Sequence, residues 1–169
     1  MLAQQRPVAD VYQKQSNPVF DAALYRARSR LGPPGAAVLI DRSQGVRPVM
    51  RAIQSGAIFL NAPDMDFGRK DSDFIPFFGV PTNTLLSPSR MARSMGMQVQ
   101  TLVMEMLPGG QGYRLTVGAM PEGFDDPDPL AAAAAWNRWL EVQIRQRPAQ
   151  YLWVHRRFKT RPLGQPRLY

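Results

Sequence analysis

A chain of 169 residues, 44% of them hydrophobic, can bury a core, and we expect a single domain over residues 1–169. The chain has no cysteine and one histidine, which excludes a disulfide framework and a multi-histidine metal site, and we expect no cofactor. The formal net charge of +8 predicts a polyanionic partner, but charge alone does not choose between nucleic acid, anionic lipid and an acidic carrier protein.

The first third of the chain alternates strand and helix patterns. Its two continuous apolar runs are typical of strands that are buried on both faces. A helix separates them, so we expect them to be neighbouring parallel strands joined by a crossover. In chain order the predicted elements are a strand Val8–Tyr12, a helix from Asn17-Pro18 to about Leu31, a strand Ala36–Ile40, a helix over about 45–55, and a strand Ala57–Ala62.

The remainder opens with a long stretch rich in Asp, Gly, Pro and Phe, and loops of that length inside a domain are usually functional. Two strands about a Pro-Gly-Gly turn then predict a hairpin. The whole pattern predicts an α/β fold with a mostly parallel mixed sheet, flanked by helices and edged by antiparallel strands. The elements are an irregular Pro63–Thr84, a helix from Ser87 to about Gly96, strands Gln98–Leu107 and Tyr113–Met120, a helix from Asp128 to about Arg147, and a tail Pro148–Tyr169.

Two stretches are specific enough to suggest a family. The tail Pro148–Pro162, with its run Tyr-Leu-Trp-Val-His-Arg-Arg-Phe-Lys-Thr-Arg-Pro, closely resembles the terminal signature of the lauroyl/myristoyl acyltransferases of lipid A (lipopolysaccharide) biosynthesis. Pro63–Gly68, followed by Phe74–Pro81, resembles that family's central loop. More remotely, Asp41-Arg42 and the segments after it are similar to the wider glycerolipid acyltransferase superfamily.

The resemblance implies a glycerolipid-acyltransferase-like fold and a transferase activity. The donor would be an acyl carrier protein thioester, and the acceptor a Kdo-bearing lipid A precursor. The reaction would take place at the cytoplasmic face of the bacterial inner membrane, on an anionic membrane surface.

One departure from the family pattern concerns catalysis. The superfamily uses a His-x4-Asp/Glu motif, in which the histidine is the base that takes the proton of the acceptor hydroxyl. The only histidine here, His155, is followed four and five positions later by Lys159 and Thr160. We therefore predict no catalytic residue in this chain and no activity of the chain alone. With the family's N-terminal membrane helix also missing, we expect a C-terminal fragment or a misassigned start.

The candidate acceptor-binding residues follow predicted strand ends. Arg42 lies at the carboxyl edge of a strand, where open α/β sheets bind ligands, and a guanidinium there could clamp a phosphate; alternatively it is a surface residue paired with Asp41. Asp64 and Asp66 could order their loop through Asx-turns, or orient sugar hydroxyls and Arg69. We expect all four of these candidates, Arg42, Asp64, Asp66 and Arg69, to converge on one cleft.

Further candidate residues lie in the central loop, on a helix and in the tail. Gly68 belongs to the central loop that the resemblance links to the acceptor. Arg90, with Arg93, could neutralise lipid A phosphates or lie on a solvated helix face. The cations of the tail, Arg156, Arg157 and Lys159, could contact anionic lipid or the carrier protein, whereas His155 is expected to be structural. The aromatic side chains of Phe74, Phe77 and Phe78 could be core anchors, or a wall for the acyl chain or a bilayer contact.

Two rival functions remain. The chain could be an inactive truncated remnant that still binds anionic lipid, and the DNA upstream of Met1 would separate this alternative from a truncated gene. A basic nucleic-acid-binding module would show aromatic residues for stacking on a basic strand face, and the sequence has no such motif, so no nucleic acid is expected.

Overall fold

The computed structural model describes residues 6–30 and 33–169. The chain divides into two compact units, Met1–Ala62 and Pro63–Tyr169. The described residues form four α-helices, a small parallel sheet and two antiparallel hairpins, which confirms the α/β class. The predicted mixed sheet is corrected by this arrangement: the antiparallel strands pair only within their own hairpins, where short turns hold the partners together.

The elements of the first unit are β1 Val8–Tyr12, α1 Pro18–Ser29, β2 Ala37–Asp41, α2 Arg47–Gln54 and β3 Ile58–Leu60. Its three strands form a parallel sheet with the order β2-β1-β3. Val8 of β1 is opposite both Ala37 of β2 and Ile58 of β3. The two apolar runs are therefore parallel strands of one sheet, as predicted, but they are not neighbours, because β1 lies between them.

Local signals set the helix ends in this unit. The Asn17 side chain accepts hydrogen bonds from the backbone N–H groups of Val19 and Phe20, which caps α1 as predicted. The helix is described to Ser29, and its predicted end at Leu31 lies outside the described residues. Strands β2 and β3 are mostly half-buried, which corrects the prediction that they are buried on both faces. The core of this unit consists of three buried and five partly buried residues: Ala9, Ile40 and Val49, with Val38, Ala52, Ile53, Ala57 and Phe59.

The second unit begins with an irregular segment over residues 63–71, as predicted, but a hairpin follows where the loop was expected to continue to Thr84. Strands β4 (Ser72–Phe77) and β5 (Val80–Leu85) pair antiparallel through a two-residue turn at Phe78 and Gly79, whose φ angles are 50° and 75°. Positive φ at both positions is the mark of the tight hairpin turns. Pro76 faces Pro81, one pair away from the turn, where the two residues do not exchange N–H···O bonds, so the missing N–H groups cost little.

The remaining elements of this unit are close to those predicted. Helix α3 is Ser87–Ser94, and strands β6 (Gln100–Met106) and β7 (Tyr113–Ala119) form the second hairpin. Strand β7 is almost wholly exposed, which corrects the half-buried strand expected from its alternation. Helix α4, Pro129–Gln146, is capped by Asp128 and packs against β4 and α3. No helix in the described part of the chain combines the length and apolarity that a membrane span requires.

Candidate functional site

Asp66 joins three segments of the second unit. Its carboxylate accepts hydrogen bonds from the Gly68 N–H at 3.0 Å, from Asn83 Nδ2 at 3.0 Å, and from the N–H and hydroxyl of Thr160 at 2.9 Å and 3.1 Å. The residue is only 4% exposed. Burial acts to raise the pKa of Asp66, but the hydrogen bonds from Gly68, Thr160 and Asn83 outweigh it and lower the pKa below its usual value.

The polar network continues around Asn83, in the middle of β5. Its Nδ2 also donates to the Gly68 carbonyl at 2.8 Å, and the Ser72 hydroxyl lies 2.8 Å from its Oδ1 and 2.9 Å from the same carbonyl. Asn137 of α4 donates through Nδ2 to the Pro76 carbonyl at 3.0 Å. Loop, hairpin and helix are thus joined by buried polar side chains whose partners are fixed, which makes the loop rigid.

Arg157 lies inside this network rather than on the surface. Its guanidinium donates to the Asn83 carbonyl at 2.6 Å and to Thr84 Oγ1 at 3.0 Å, and the side chain is 1% exposed. Its burial lowers the pKa of Arg157, while Tyr151 and the carboxylates of Asp64 and Asp66 act in the opposite direction. The surface role expected for Arg157 is therefore wrong: the cation is buried in the second unit, where it interacts electrostatically with Asp64 and Asp66.

Aromatic rings surround the buried guanidinium. Phe77 is fully buried and contacts Phe78, Phe158 and Tyr151 at centroid distances of 4.8 Å, 5.9 Å and 6.4 Å. Phe77 is thus a core anchor, and Arg157 lies 5.2 Å from its ring centroid. The pKa of Tyr151 is raised, first by burial and then by the neighbouring Asp64 carboxylate, so the phenol is neutral and can act as a hydrogen-bond donor.

Several predicted site residues have other partners. The Arg69 guanidinium lies 4.5 Å from the ring centroid of Phe74, a cation–π contact. Within the part of the chain that the structure describes, it forms no ion pair with Asp64 or Asp66. Arg90 forms an exposed ion pair with Asp71 at 3.3 Å. In the tail, Arg156, Lys159 and His155 are exposed.

Arg42 lies in the first unit, directly after β2. It opens a short 3-10 turn, Arg42–Gln44, in which the Asp41 carboxylate accepts from the Ser43 N–H at 3.0 Å. The side chain is exposed at the carboxyl end of the strand, as expected. The proposed cleft shared with Asp64, Asp66 and Arg69 involves both units and stays a prediction.

Sequence reasoning missed the partners of the loop carboxylates. Thr82, Asn83 and Thr84 are consecutive buried polar residues, and such a run looks like a loop rather than a strand interior. Asn137 is hidden in an alanine-rich helix pattern. Thr160 could have been found, because it belongs to the tail signature that carries the family resemblance.

The chemistry of the network favours positioning over proton transfer. A carboxylate with four hydrogen bonds and a lowered pKa is a weak base, so Asp66 is not suited to remove a proton from a hydroxyl. Gly68 contributes both its N–H and its carbonyl to the network, so its backbone is fixed. A rigid loop with cations beside it is the kind of frame that holds an anionic ligand in one geometry.

The fold and this network define an α/β protein whose central loop is hydrogen-bonded to its tail through Asp66 and Thr160. The chain belongs to the bacterial lipid A biosynthesis acyltransferase family, whose sequence model matches residues 1–160. It is 36% identical over 168 residues to the lipid A biosynthesis palmitoleoyltransferase of Escherichia coli (strain K12), covering 97% of this chain and 52% of that protein.

Two other relatives from the same organism are the lauroyltransferase, 34% identical over 98% of this chain and 53% of the relative, and the myristoyltransferase, 29% identical over 100% and 51%. The chain thus spans about half the length of the curated relatives it matches.

Proposed function

We propose that this chain forms the acceptor-positioning part of a lipid A biosynthesis acyltransferase. The enzyme would transfer a fatty acyl chain from an acyl carrier protein thioester to a hydroxyl of a Kdo-bearing lipid A precursor. The named relatives are palmitoleoyl-, lauroyl- and myristoyltransferases of lipid A biosynthesis, which supports an acyl transfer of this class.

The observation that carries the proposal is the hydrogen bonding of Asp66 to Thr160. It joins the central loop to the tail, the two segments by which the sequence resembles the family. Acyl transfer requires the acceptor to be held while its hydroxyl attacks, and a preorganised loop supplies that part of catalysis. Fixed groups such as these do not need to reorganise during the reaction.

The cations are assigned to the acceptor's phosphates. Arg42 and Arg90 are exposed and can reach a ligand, and Arg69 lies against Phe74 beside the loop. Guanidinium groups bind phosphate in a bidentate manner, which fixes orientation as well as position. In this proposal Gly68, Asp64 and Asp66 shape the loop, and the base that removes the proton comes from a His/acid motif outside these 169 residues.

The reaction is placed at the cytoplasmic face of the inner membrane. Exposed Arg156 and Lys159 would contact anionic headgroups or the acidic carrier protein, because the tail after Glu141 contains no acidic side chain. Each exposed cation near an anionic surface contributes on the order of 1 kcal/mol to binding.

A chimeric enzyme tests this function. The segment that precedes the matched residues in the Escherichia coli palmitoleoyltransferase is joined to this chain and assayed with acyl carrier protein thioester and a Kdo-bearing lipid A precursor. We expect transfer above that of either part alone, and loss of most of it in Asp66→Ala. A folded chimera without transfer, which still sediments with anionic vesicles, would favour the lipid-binding remnant instead.

A further inference from the structure

The β6–β7 hairpin exposes one continuous apolar face. Successive residues of a strand point to opposite faces, and directly opposed residues of paired strands share a face. Six large apolar side chains therefore lie together, with exposures from 42% to 65%. They form three cross-strand pairs, Leu102–Val117, Met104–Leu115 and Met106–Tyr113. A patch of this kind on a protein surface marks an interaction site.

The apolar face of the hairpin carries no charge, and the charged residues of the hairpin lie on its opposite face. There the Glu105 carboxylate contacts the guanidinium groups of both Arg114 and Arg147, at 3.3 Å and 3.2 Å. One negative charge is thus shared between two positive charges. The turn between the strands, Pro108–Gly112, contains no charged residue. The apolar face and the turn would therefore not repel an anionic surface.

The basic tail is attached at the turn end of the same hairpin. The Gln150 side chain accepts from the Met106 N–H at 2.8 Å and donates to the Met106 carbonyl at 3.2 Å. Exposed apolar residues follow within four positions, and Trp153 is among them. Beyond these come the exposed cations Arg156 and Lys159.

We infer that the apolar face of the β6–β7 hairpin docks on an anionic lipid bilayer. Met104 and Leu115, at the centre of the face, would enter the acyl region, while Tyr113 and Trp153 lie at the headgroup level, which suits amphipathic rings. The exposed cations of the tail, Arg156 and Lys159, then meet anionic headgroups. This inference rests on the proposed function, for which it names the surface that meets the membrane.

Charge decides between a bilayer and the other occupants. A second copy of this chain would bring another net charge of +8 against the +8 of the first. A neutral apolar protein surface would leave the exposed tail cations Arg156 and Lys159 without anions. An anionic bilayer supplies both an apolar layer for the hairpin face and negative charge for the tail.

The absence of cysteine from the sequence allows a direct test of depth. Leu115→Cys places a single thiol on the apolar face, and Leu163→Cys places one on a fully exposed tail residue. Each 169-residue variant is labelled with an environment-sensitive nitrobenzoxadiazole dye and mixed with phosphatidylcholine vesicles, with or without phosphatidylglycerol. We expect a blue shift and quenching by brominated lipid for the label at position 115 with the anionic vesicles, and neither at position 163.

A second measurement compares affinities. The double variant Met104→Ser, Leu115→Ser should bind phosphatidylglycerol-containing vesicles at least about tenfold more weakly than the parent chain in a flotation assay. The control Leu163→Ser, Leu168→Ser changes two exposed leucines of the tail and should bind like the parent. Circular dichroism verifies that both variants are folded.

Two outcomes would overturn the inference. If vesicles bind while the label at position 115 shows no shift, the tail alone contacts the lipid. If the label shifts without vesicles as protein concentration rises, the face is an interface between copies of the chain. The tests involve no acyl transfer, so an active chimera with an unshifted label would refute this inference and leave the proposed function intact.

Discussion

Asp66 is stabilised in its charged form by a balance of opposing effects. A carboxylate taken out of water loses solvation, which favours the protonated form, whereas each N–H or O–H donated to it favours the anion. Four such donors outweigh burial here, so the pKa of Asp66 is lowered. Because the unfolded chain has an ordinary pKa, the folded state gains stability from Asp66 above about pH 4, and loses it as the pH falls through the lowered value.

The first prediction uses that dependence. Asp66→Asn replaces one carboxylate oxygen by an NH2 group, which then faces either the Thr160 N–H at Oδ2 or the Gly68 and Asn83 donors at Oδ1. The free energy of unfolding should therefore fall by roughly 2–3 kcal/mol at neutral pH. The deficit should shrink at about pH 3, because the parent carboxylate is then losing its advantage. Urea unfolding at both pH values measures it, and the exposed Asp125→Asn is the control. A pH-independent deficit would contradict the assigned role.

The second prediction compares two adjacent arginines. Arg157→Met leaves the Asn83 carbonyl and the Thr84 hydroxyl without their donor and removes the cation beside the loop carboxylates, so it should cost roughly 3 kcal/mol or more. Arg156→Met, on the exposed neighbour, should change stability by about 0.5 kcal/mol or less. Denaturant unfolding of both variants gives the comparison, and similar losses would show that Arg157 is not buried as described.

Single residues show how far the sequence predicted the site. Two carboxylates in a Pro-Asp-Met-Asp-Phe-Gly loop indicated loop ordering, and the Asp66–Gly68 bond agrees with that interpretation. Their partners Asn83 and Thr160 are 17 and 94 residues away, and no local period encodes pairings at such distances. Arg157 was expected at the surface because its neighbours are cations, and charge alone does not reveal which of them turns inward.

At the level of elements, the sequence predicted helices and apolar strands better than hairpins. Helix α4 and strand β1 agree with prediction to within a residue or two, since their signals, a capping residue and an apolar run, are local. The β4–β5 hairpin was missed because Pro76, Pro81 and Gly79 are typical of loops. Only their register, with the prolines opposite each other and glycine in the turn, makes them compatible with a ladder.

The third prediction concerns the register of the second hairpin. Gly118 is opposite Thr101, and a Cβ atom at position 118 would lie 2.7 Å from Thr101 Oγ1. Gly118→Ala should therefore destabilise the hairpin by about 1–3 kcal/mol through overpacking. Adding Thr101→Ala removes the hydroxyl and should restore much of the loss, whereas Thr101→Ser keeps the hydroxyl and should not. Thermal unfolding of the double variants distinguishes this register from one in which the two residues do not meet.

At the scale of the whole molecule, the chain corresponds to about half the length of the curated relatives it matches, and each of its two units contains candidate residues of its own. The first unit contains Arg42 at the end of β2, and the second contains the central loop and the tail, which are joined by the hydrogen bonds between Asp66 and Thr160. Family membership followed from the sequence because the tail signature is long and rare in composition. The order β2-β1-β3 did not follow, because adjacency along a chain does not fix adjacency in a sheet.

The last prediction compares cations of the two units in the active chimera. Arg42→Ala should lower acceptor use by about ten- to more than a hundredfold, because it removes a charge-assisted contact to a phosphate, worth roughly 1.5–3 kcal/mol. Lys159→Ala should cost about 1 kcal/mol or less, since this residue is exposed in a basic tail and screened by solvent. We choose Lys159 rather than Arg161 as the comparison, because Arg161 donates to the Pro81 carbonyl at 2.8 Å and supports the fold.

Salt separates the two effects further. Raising the ionic strength weakens contacts between exposed charges much more than contacts from which solvent is excluded. The loss caused by Lys159→Ala should therefore fade at high salt. The loss caused by Arg42→Ala should persist, because in the proposed complex the bound acceptor excludes solvent from the contact between Arg42 and the phosphate. Steady-state kinetics of both chimeras at low and high salt decide the matter. Equal losses, or an Arg42 effect that vanishes in salt, would move the phosphate site away from the end of β2.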